Sequence, residues 1–145
     1  VASPNVTSIA IGKPIEPEEL GGWKLLTGVS GLADLAVDTD EQALDAIKRF
    51  LSYLPGHSGE APPEAPVPAG SDAACRKILD LMPESRNQVY DVRKIIAAIA
   101  DTDSCFELKE RYGRSLATVL ARLAGRTVGF IANSPFPDGF KDVFF

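Results

Sequence analysis

Apolar residues in this chain recur at helical spacing first and at strand spacing later, with a proline-rich stretch between the first helix and the rest. From Asp40 onward Leu44, Ile47, Leu51 and Leu54 step by three and four, joined by Ala43 and Phe50, while Asp45, Lys48 and Arg49 fall on the opposite side. That period predicts a helix over about 40–53 with this apolar face, Ala43 and Phe50 included, inward. Thr39 followed by Gln42 resembles a capping box, Asp40 and Glu41 suit the positive end of the helix dipole, and Pro55-Gly56 stops the run. A second helix is expected over 72–82, with Cys75, Ile78, Leu79 and Met82 inward and Pro83 ending it. A third is expected over 89–100, with Val92, Ile95, Ile96 and Ile99 on one face. Past Asp101-Thr102-Asp103 the period drops to two: Phe106 and Leu108 alternate with Glu107 and Lys109, and Gly113 supplies a turn. Strands over 116–123 and 127–132 follow, joined through Ala124-Gly125-Arg126 as a tight hairpin.

The first forty residues carry little period. Ile15 to Gly22 reads as one helical turn, with Pro17 in its first turn and Gly21 or Gly22 ending it. Gly28 and Gly31 interrupt any long helix between Trp23 and Val37, and Leu35-Ala36-Val37 reads as a short strand. Five prolines fall between Pro55 and Gly70 with no hydrophobic period, an extended connector of polyproline stiffness. It divides the chain into units 1–54 and 72–145 around a linker at 55–71. No internal repeat is visible.

The 145 residues, 45% hydrophobic and 24% charged, suit one globular domain. Net charge is −5 and the 15 basic residues are scattered, which argues against a nucleic-acid partner. Cys75 and Cys105 lack metal-ligand spacing and read as free thiols, small buried hydrophobes of a reducing compartment. No apolar run approaches the roughly 20 residues that cross a bilayer, and no basic segment leads into an apolar one at the start, so no membrane partner and a cytoplasmic location are expected. The opening Val1 and the apolar ending Asp142-Val143-Phe144-Phe145 suggest a segment cut from something longer, or a tail that binds a neighbour.

Common catalytic signatures do not occur: no GxSxG, HExxH, Walker loop or GxGxxG, and no cysteine and histidine cluster, so no metal site is expected. Gly21-Gly22 and Gly28-x-x-Gly31 read as turn and cap residues, because a phosphate cradle needs glycines leading from a strand into a helix. His57 sits in the linker without a neighbouring carboxylate or nucleophile to tune it and reads as solvated. The acidic pairs Glu18-Glu19, Asp101 with Asp103, and Glu107 with Glu110 read as solvated faces and helix ends. Arg111, Arg114, Arg122 and Arg126 lie on the meander. They would meet a phosphate or carboxylate if they pointed one way, and otherwise pair with Glu107 and Glu110.

Two stretches together resemble one family. Tyr90-Asp91-Val92-Arg93-Lys94-Ile95-Ile96, Phe106 to Gly113 and Leu120 to Asn133 resemble the opening of the C-terminal half of a biotin-dependent acyl-CoA carboxyltransferase of the propionyl-CoA carboxylase beta-subunit type. Glu19-Leu20-Gly21-Gly22, Thr27, Ser30-Gly31, Asp34, Thr39 to Leu44 and Leu51 to Pro55 resemble the close of its N-terminal half, although Leu26 stands where relatives commonly carry histidine. The resemblance implies an α/β, crotonase-like fold, here incomplete: helices plus an antiparallel β-meander after the linker. It implies an enzyme moving a carboxyl group between biotin on a carrier protein and the alpha carbon of an acyl-CoA, with backbone N–H groups stabilising the developing oxyanions. The glycine-rich turns that supply those groups lie before and after the matched stretches, so no catalytic residue is assigned and the segment alone is expected to be inactive. The implied cofactors are carboxybiotin on its carrier and a CoA thioester. The implied partners are a biotin carboxyl carrier or biotin carboxylase subunit and further copies in a homo-oligomer. Asn133, with Ala132 and Ser134 beside it, is the candidate for a biotin-side pocket. The competing expectation is a non-catalytic module that pairs through its strand edges and apolar tail.

Overall fold

A computed structural model describes residues 3–85 and 88–134. Helix α1 (Pro4–Ile11) and the short α2 (Pro17–Gly21) lead into a π-helical turn at Leu25–Val29, followed by α3 (Asp40–Leu51), α4 (Ser71–Cys75), a 3-10 turn at Ile78–Leu81 and α5 (Val92–Ile99). Strands β1 (Phe106–Leu108), β2 (Leu116–Leu123) and β3 (Arg126–Asn133) form one antiparallel sheet in the order β1-β2-β3. The apolar tail at 142–145 lies outside the described residues.

The core forms between α5 and one face of the sheet. The period of two along β2 turns Ala117, Val119 and Ala121 to that face, where they meet Val92, Ile96 and Ala100, with Tyr90, Cys105, Phe130 and Ala132 packed around them. Small residues on β2 let α5 approach closely. Asp91 fixes the start of α5, its carboxylate accepting the Arg93 N–H at 3.0 Å, so the helix begins at 92 and leaves Val89 outside it. The hairpin is a two-residue turn: Ala124 and Gly125 have φ of 49° and 80°, and Arg126 already belongs to β3 opposite Leu123.

Helix α3 forms where expected, with Thr39 Oγ1 accepting the Gln42 N–H at 3.2 Å. Gln42 returns the contact one residue early, to the Asp38 N–H at 2.9 Å. Its orientation departs from the sequence expectation in the aliphatic row, though not at Phe50. Phe50 and Tyr53 dock on the sheet, each ring 6.2 Å from Phe106, and Tyr53 is 1% exposed. The row Leu44, Ile47, Leu51 and Leu54 stays in water. Aromatic rings one position round the helix offer more buried area than the aliphatic row, and Tyr53 adds a hydroxyl donating to Ser104 O at 2.5 Å.

Three further expectations are corrected. The helix over 72–82 stops after Cys75, because Lys77 at φ −103°, ψ 14° leaves helical space and the chain tightens into the 3-10 turn. Cys75 and Leu79 are therefore exposed rather than inward, Leu79 by 80%. Leu35-Ala36-Val37 forms no strand, since no neighbouring strand offers it a ladder; the adjacent Asp34 O accepts the Lys109 N–H at 3.0 Å. The opening stretch, without period, contains α1, which is set by its ends: Pro4 at the first position and Gly12 at φ 74° after the last.

Candidate functional site

The three residues singled out for a biotin-side pocket end the outer strand. Ala132 lies opposite Ala117 and packs on the core, while Asn133 lies opposite Leu116 and is exposed. Ser134 is 5% exposed; its N–H donates to Ser115 O at 2.8 Å, and its Oγ is buried without a partner among the described residues. A buried hydroxyl left unpaired costs about 1–3 kcal/mol, so it marks a position held by its surroundings.

The meander arginines do not converge. Arg111 stacks over the Trp23 ring at 4.9 Å, and Arg126 Nε meets Glu64 Oε1 at 3.0 Å. Arg122 sits 4.6 Å from the Tyr53 ring centre and donates to Ser52 O at 2.9 Å and Ser52 Oγ at 3.2 Å. The expected pairing with Glu107 is overturned. Glu107 belongs to Arg93 of α5, whose Nε reaches both carboxylate oxygens at 2.8 Å and whose Nη2 lies 2.6 Å from Oε1. The hydrogen bond to Glu107 is the main reason that the Arg93 pKa is raised, against the opposing effect of burial. Strand alternation explains the divergence: Arg122 faces α3, whereas Arg111 and Arg126 sit at the two ends of the meander.

Asp101 also departs from expectation, being buried rather than solvated. Its two carboxylate oxygens accept the N–H groups of Ala124 at 3.0 Å and Gly125 at 2.7 Å, and its own N–H donates to Arg122 O at 2.8 Å. The left-handed hairpin turn points two N–H donors inward, and a carboxylate at the end of α5 satisfies both. Arg49 reaches across from α3 to Asp103 O at 2.9 Å and Cys105 O at 2.7 Å. A cleft of about 410 Å³ lies beside it, lined by Arg49, Ala97, Asp101, Asp103 and Cys105. Burial pushes the Cys105 thiol pKa up, with Arg49 acting weakly the other way. Arg49 and Asp101 spend hydrogen bonds on backbone groups and burial disfavours the Cys105 thiolate, so the polar groups of the cleft serve the fold rather than an activated nucleophile.

His57 is exposed as expected, but contrary to expectation a carboxylate stands beside it: its Nε2 lies 3.1 Å from Glu60 Oε1, and its Nδ1 accepts from the Gly59 N–H at 3.1 Å. Among the described residues no group of three or more His, Cys, Asp or Glu side chains could hold a metal, and no helix is long and apolar enough to cross a membrane. The polar network that matters here, Tyr53-Ser104-Arg122-Asp101 with Arg49, joins α3 to the sheet. The sequence signal for it was slight: an aspartate directly after α5 and a hairpin of left-handed residues 23 positions on.

Comparison with known proteins places this scaffold. The family model described as carboxyl transferase domain matches residues 1–139. The chain belongs to the carboxyl transferase family. It is 33% identical over 135 residues to a propionyl-CoA carboxylase beta chain of Roseobacter denitrificans, covering 93% of this chain and 26% of that one. It is 30% identical, with the same coverage, to the methylmalonyl-CoA decarboxylase subunit alpha of Propionigenium modestum. Transcarboxylase 12S, solved as a hexamer assembly with hydrolysed methylmalonyl-coenzyme A bound, superposes on 96% of this chain with a TM-score of 0.86 at 30% identity, using 27% of its own length. The chain thus spans about a quarter of the relatives it matches, and its helices and three-stranded sheet are a part of the crotonase-like fold.

Proposed function

We propose that this chain is the central segment of a biotin-dependent acyl-CoA carboxyltransferase, which moves a carboxyl group between carrier-bound biotin and the alpha carbon of an acyl-CoA of the propionyl or acetyl type. The single observation that carries this reading is the carboxyl transferase match running through nearly the whole chain, 1–139. Residues 1–54 close the N-terminal half, 55–71 connect, and 72–145 open the C-terminal half. The full protein works in the cytoplasm as a homo-oligomer with a biotin carboxyl carrier or biotin carboxylase subunit, and draws on carboxybiotin and a CoA thioester. Ala132, Asn133 and Ser134 lie on its biotin side. Support comes from the exposed Asn133 amide at the end of β3, which offers donors and an acceptor of the kind a ureido group needs.

On this reading the segment alone is inactive with free biotin and propionyl-CoA: the paired N–H donors of its hairpin, at Ala124 and Gly125, are taken up by Asp101 rather than free to hold an enolate. The test is a chimera in which residues 3–134 replace the matched quarter of the Roseobacter beta chain. Retained carboxylation of propionyl-CoA, with Asn133→Ala raising the KM for biotin, is the expected result; an assembled chimera without activity sinks the reading. A second reading, a non-catalytic pairing module, draws on the outer edge of β3, which carries no partner strand among the described residues and leaves Ile131 79% exposed. Self-association of the isolated chain abolished by Ile131→Lys would favour it.

A further inference from the structure

The bend between β1 and β2 is held from outside the sheet. Lys109 lies at φ 57°, a left-handed conformation that lysine rarely adopts and that persists only where the surroundings impose it. Those surroundings are residues 31–34. The Lys109 N–H donates to Asp34 O at 3.0 Å, and its Nζ meets Asp34 Oδ1 at 2.9 Å and donates to Gly31 O. Both nitrogens of this one residue are thus spent on the same short segment. Close by, the Tyr112 ring lies so near Gly31, itself at φ 62°, that a Cβ there would overlap it. Arg111 adds its stack over Trp23 at 4.9 Å. The Lys109–Asp34 ion pair is half-exposed and counts for little by itself. Two backbone carbonyls and a glycine that admits the tyrosine ring turn it into a grip.

The gripped bend has no slack. The Tyr112 N–H donates to Lys109 O and the Leu116 N–H to Gly113 O, each at 2.9 Å, so two turns run back to back into β2. Where they end, Leu116 stands opposite Asn133, and Ser115 O accepts the Ser134 N–H at 2.8 Å. The exit of β3 is therefore fastened to the far end of the bend that Lys109 begins. We propose that Lys109 is a positioning residue: seated on Gly31 and Asp34, it fixes the 109–115 bend and, through Ser115 and Leu116, the place of Asn133 and Ser134. Its consequence for biotin rests on the proposed function, whereas the coupling from Asp34 to the strand exit does not.

Lys109→Asn tests it, because asparagine tolerates the left-handed conformation but cannot span to Gly31 O and the Asp34 carboxylate. In the 145-residue chain, hydrogen exchange read residue by residue quickens about fivefold or more at Ser134 while Val119 and Ala121 keep their rates, and Lys109→Arg exchanges as the native chain does. Asp34→Asn, which keeps the Asp34 carbonyl, gives a weaker change of the same pattern and adds little to Lys109→Asn. Quickening confined to Lys109 and Tyr112 overturns the proposal, since the bend then moves without the strand exit. Equal quickening through the whole sheet also overturns it, since the lysine then serves general stability. In the Roseobacter chimera Lys109→Asn raises the KM for biotin about threefold or more at unchanged kcat, and Lys109→Arg restores it. An active chimera whose KM for biotin does not move overturns Lys109 as a positioning residue. An inactive chimera, with the exchange response at Ser134 intact, upholds the coupling and counts against the proposed carboxyl transfer alone.

Discussion

Residues 3–54 and residues 88–134 are built from similar proportions of apolar side chains, yet they hold themselves together differently. The later region encloses a core of its own, with Ile96 of α5 against Ala117 and Ala121 of β2. In the earlier region Tyr53 is the one buried hydrophobic side chain among the described residues, and it is buried against the later region. Val6, Ile9, Val29 and Leu32 lie mostly in water. Apolar content is thus no guide to self-sufficiency; what matters is whether two faces within one segment can close on each other.

The contrast can be broken most severely from the core side. Ile96→Ala opens a cavity under the sheet and costs about 2–5 kcal/mol, read as a lowered midpoint in urea. Tyr53→Ala comes next, at about 3 kcal/mol by loss of a buried ring. Its signature is regional: trypsin cleaves after Lys48 and Arg49 while the sheet stays protected, and uniform loss of protection would mean that the two regions form one cooperative unit. Asp101→Asn keeps the shape but removes an acceptor from the hairpin N–H pair, a loss of about 1–2 kcal/mol; its hydrogen-exchange trace should quicken at Ala124 and Gly125 before anywhere else.

The smallest effect is chemical. Cys75 reacts with a thiol reagent at the rate of a free peptide, and Cys105 reacts more slowly, being half-buried with its pKa raised by burial. A thiol whose folded pKa is raised contributes stability that is fully present below the unfolded pKa, near 9.0, and is lost as pH rises through the folded value. Stability should therefore decline above about pH 9 in the native chain and less so in Cys105→Ala, compared by thermal melts across that range. Arg93, raised chiefly by its hydrogen bond to Glu107, has the same sign, but its window lies above the working range of pH.

Where periodicity and local chemistry agreed, the elements were legible in the sequence. Thr39 and Gln42 marked the start of α3, and alternation at Phe106 and Leu108 marked β1. What was not legible was which of two adjacent apolar rows on α3 would find a partner, because Phe50 and Phe106 lie far apart in sequence and no local pattern reports their meeting. The 72–82 helix failed for a related reason. Its apolar positions were spaced correctly, but short helices are held by packing, and Leu79 is 80% exposed. At the candidate site, the strand exit at Asn133 could be read from alternation and its pairing with Leu116 agrees. The burial of Ser134 and the clamp formed by Asp101 could not, since both depend on the return of the chain from a distance.

The proline-rich connector has both its flanks fastened to the same sheet. Tyr53 is fixed at one end, and at the other the Ala65 N–H donates to Gly125 O at 2.9 Å, with the Ala65 carbonyl so near Gly125 that a Cβ there would sit 2.2 Å from it. The eleven residues between them form a closed loop on a rigid mount. Doubling such a loop costs only about 0.6 kcal/mol, and its crown at His57 to Gly59 lies in water. An affinity tag or a fluorophore-bearing insert placed there would therefore leave α3 and the sheet in place, a natural handle in the middle of the chain.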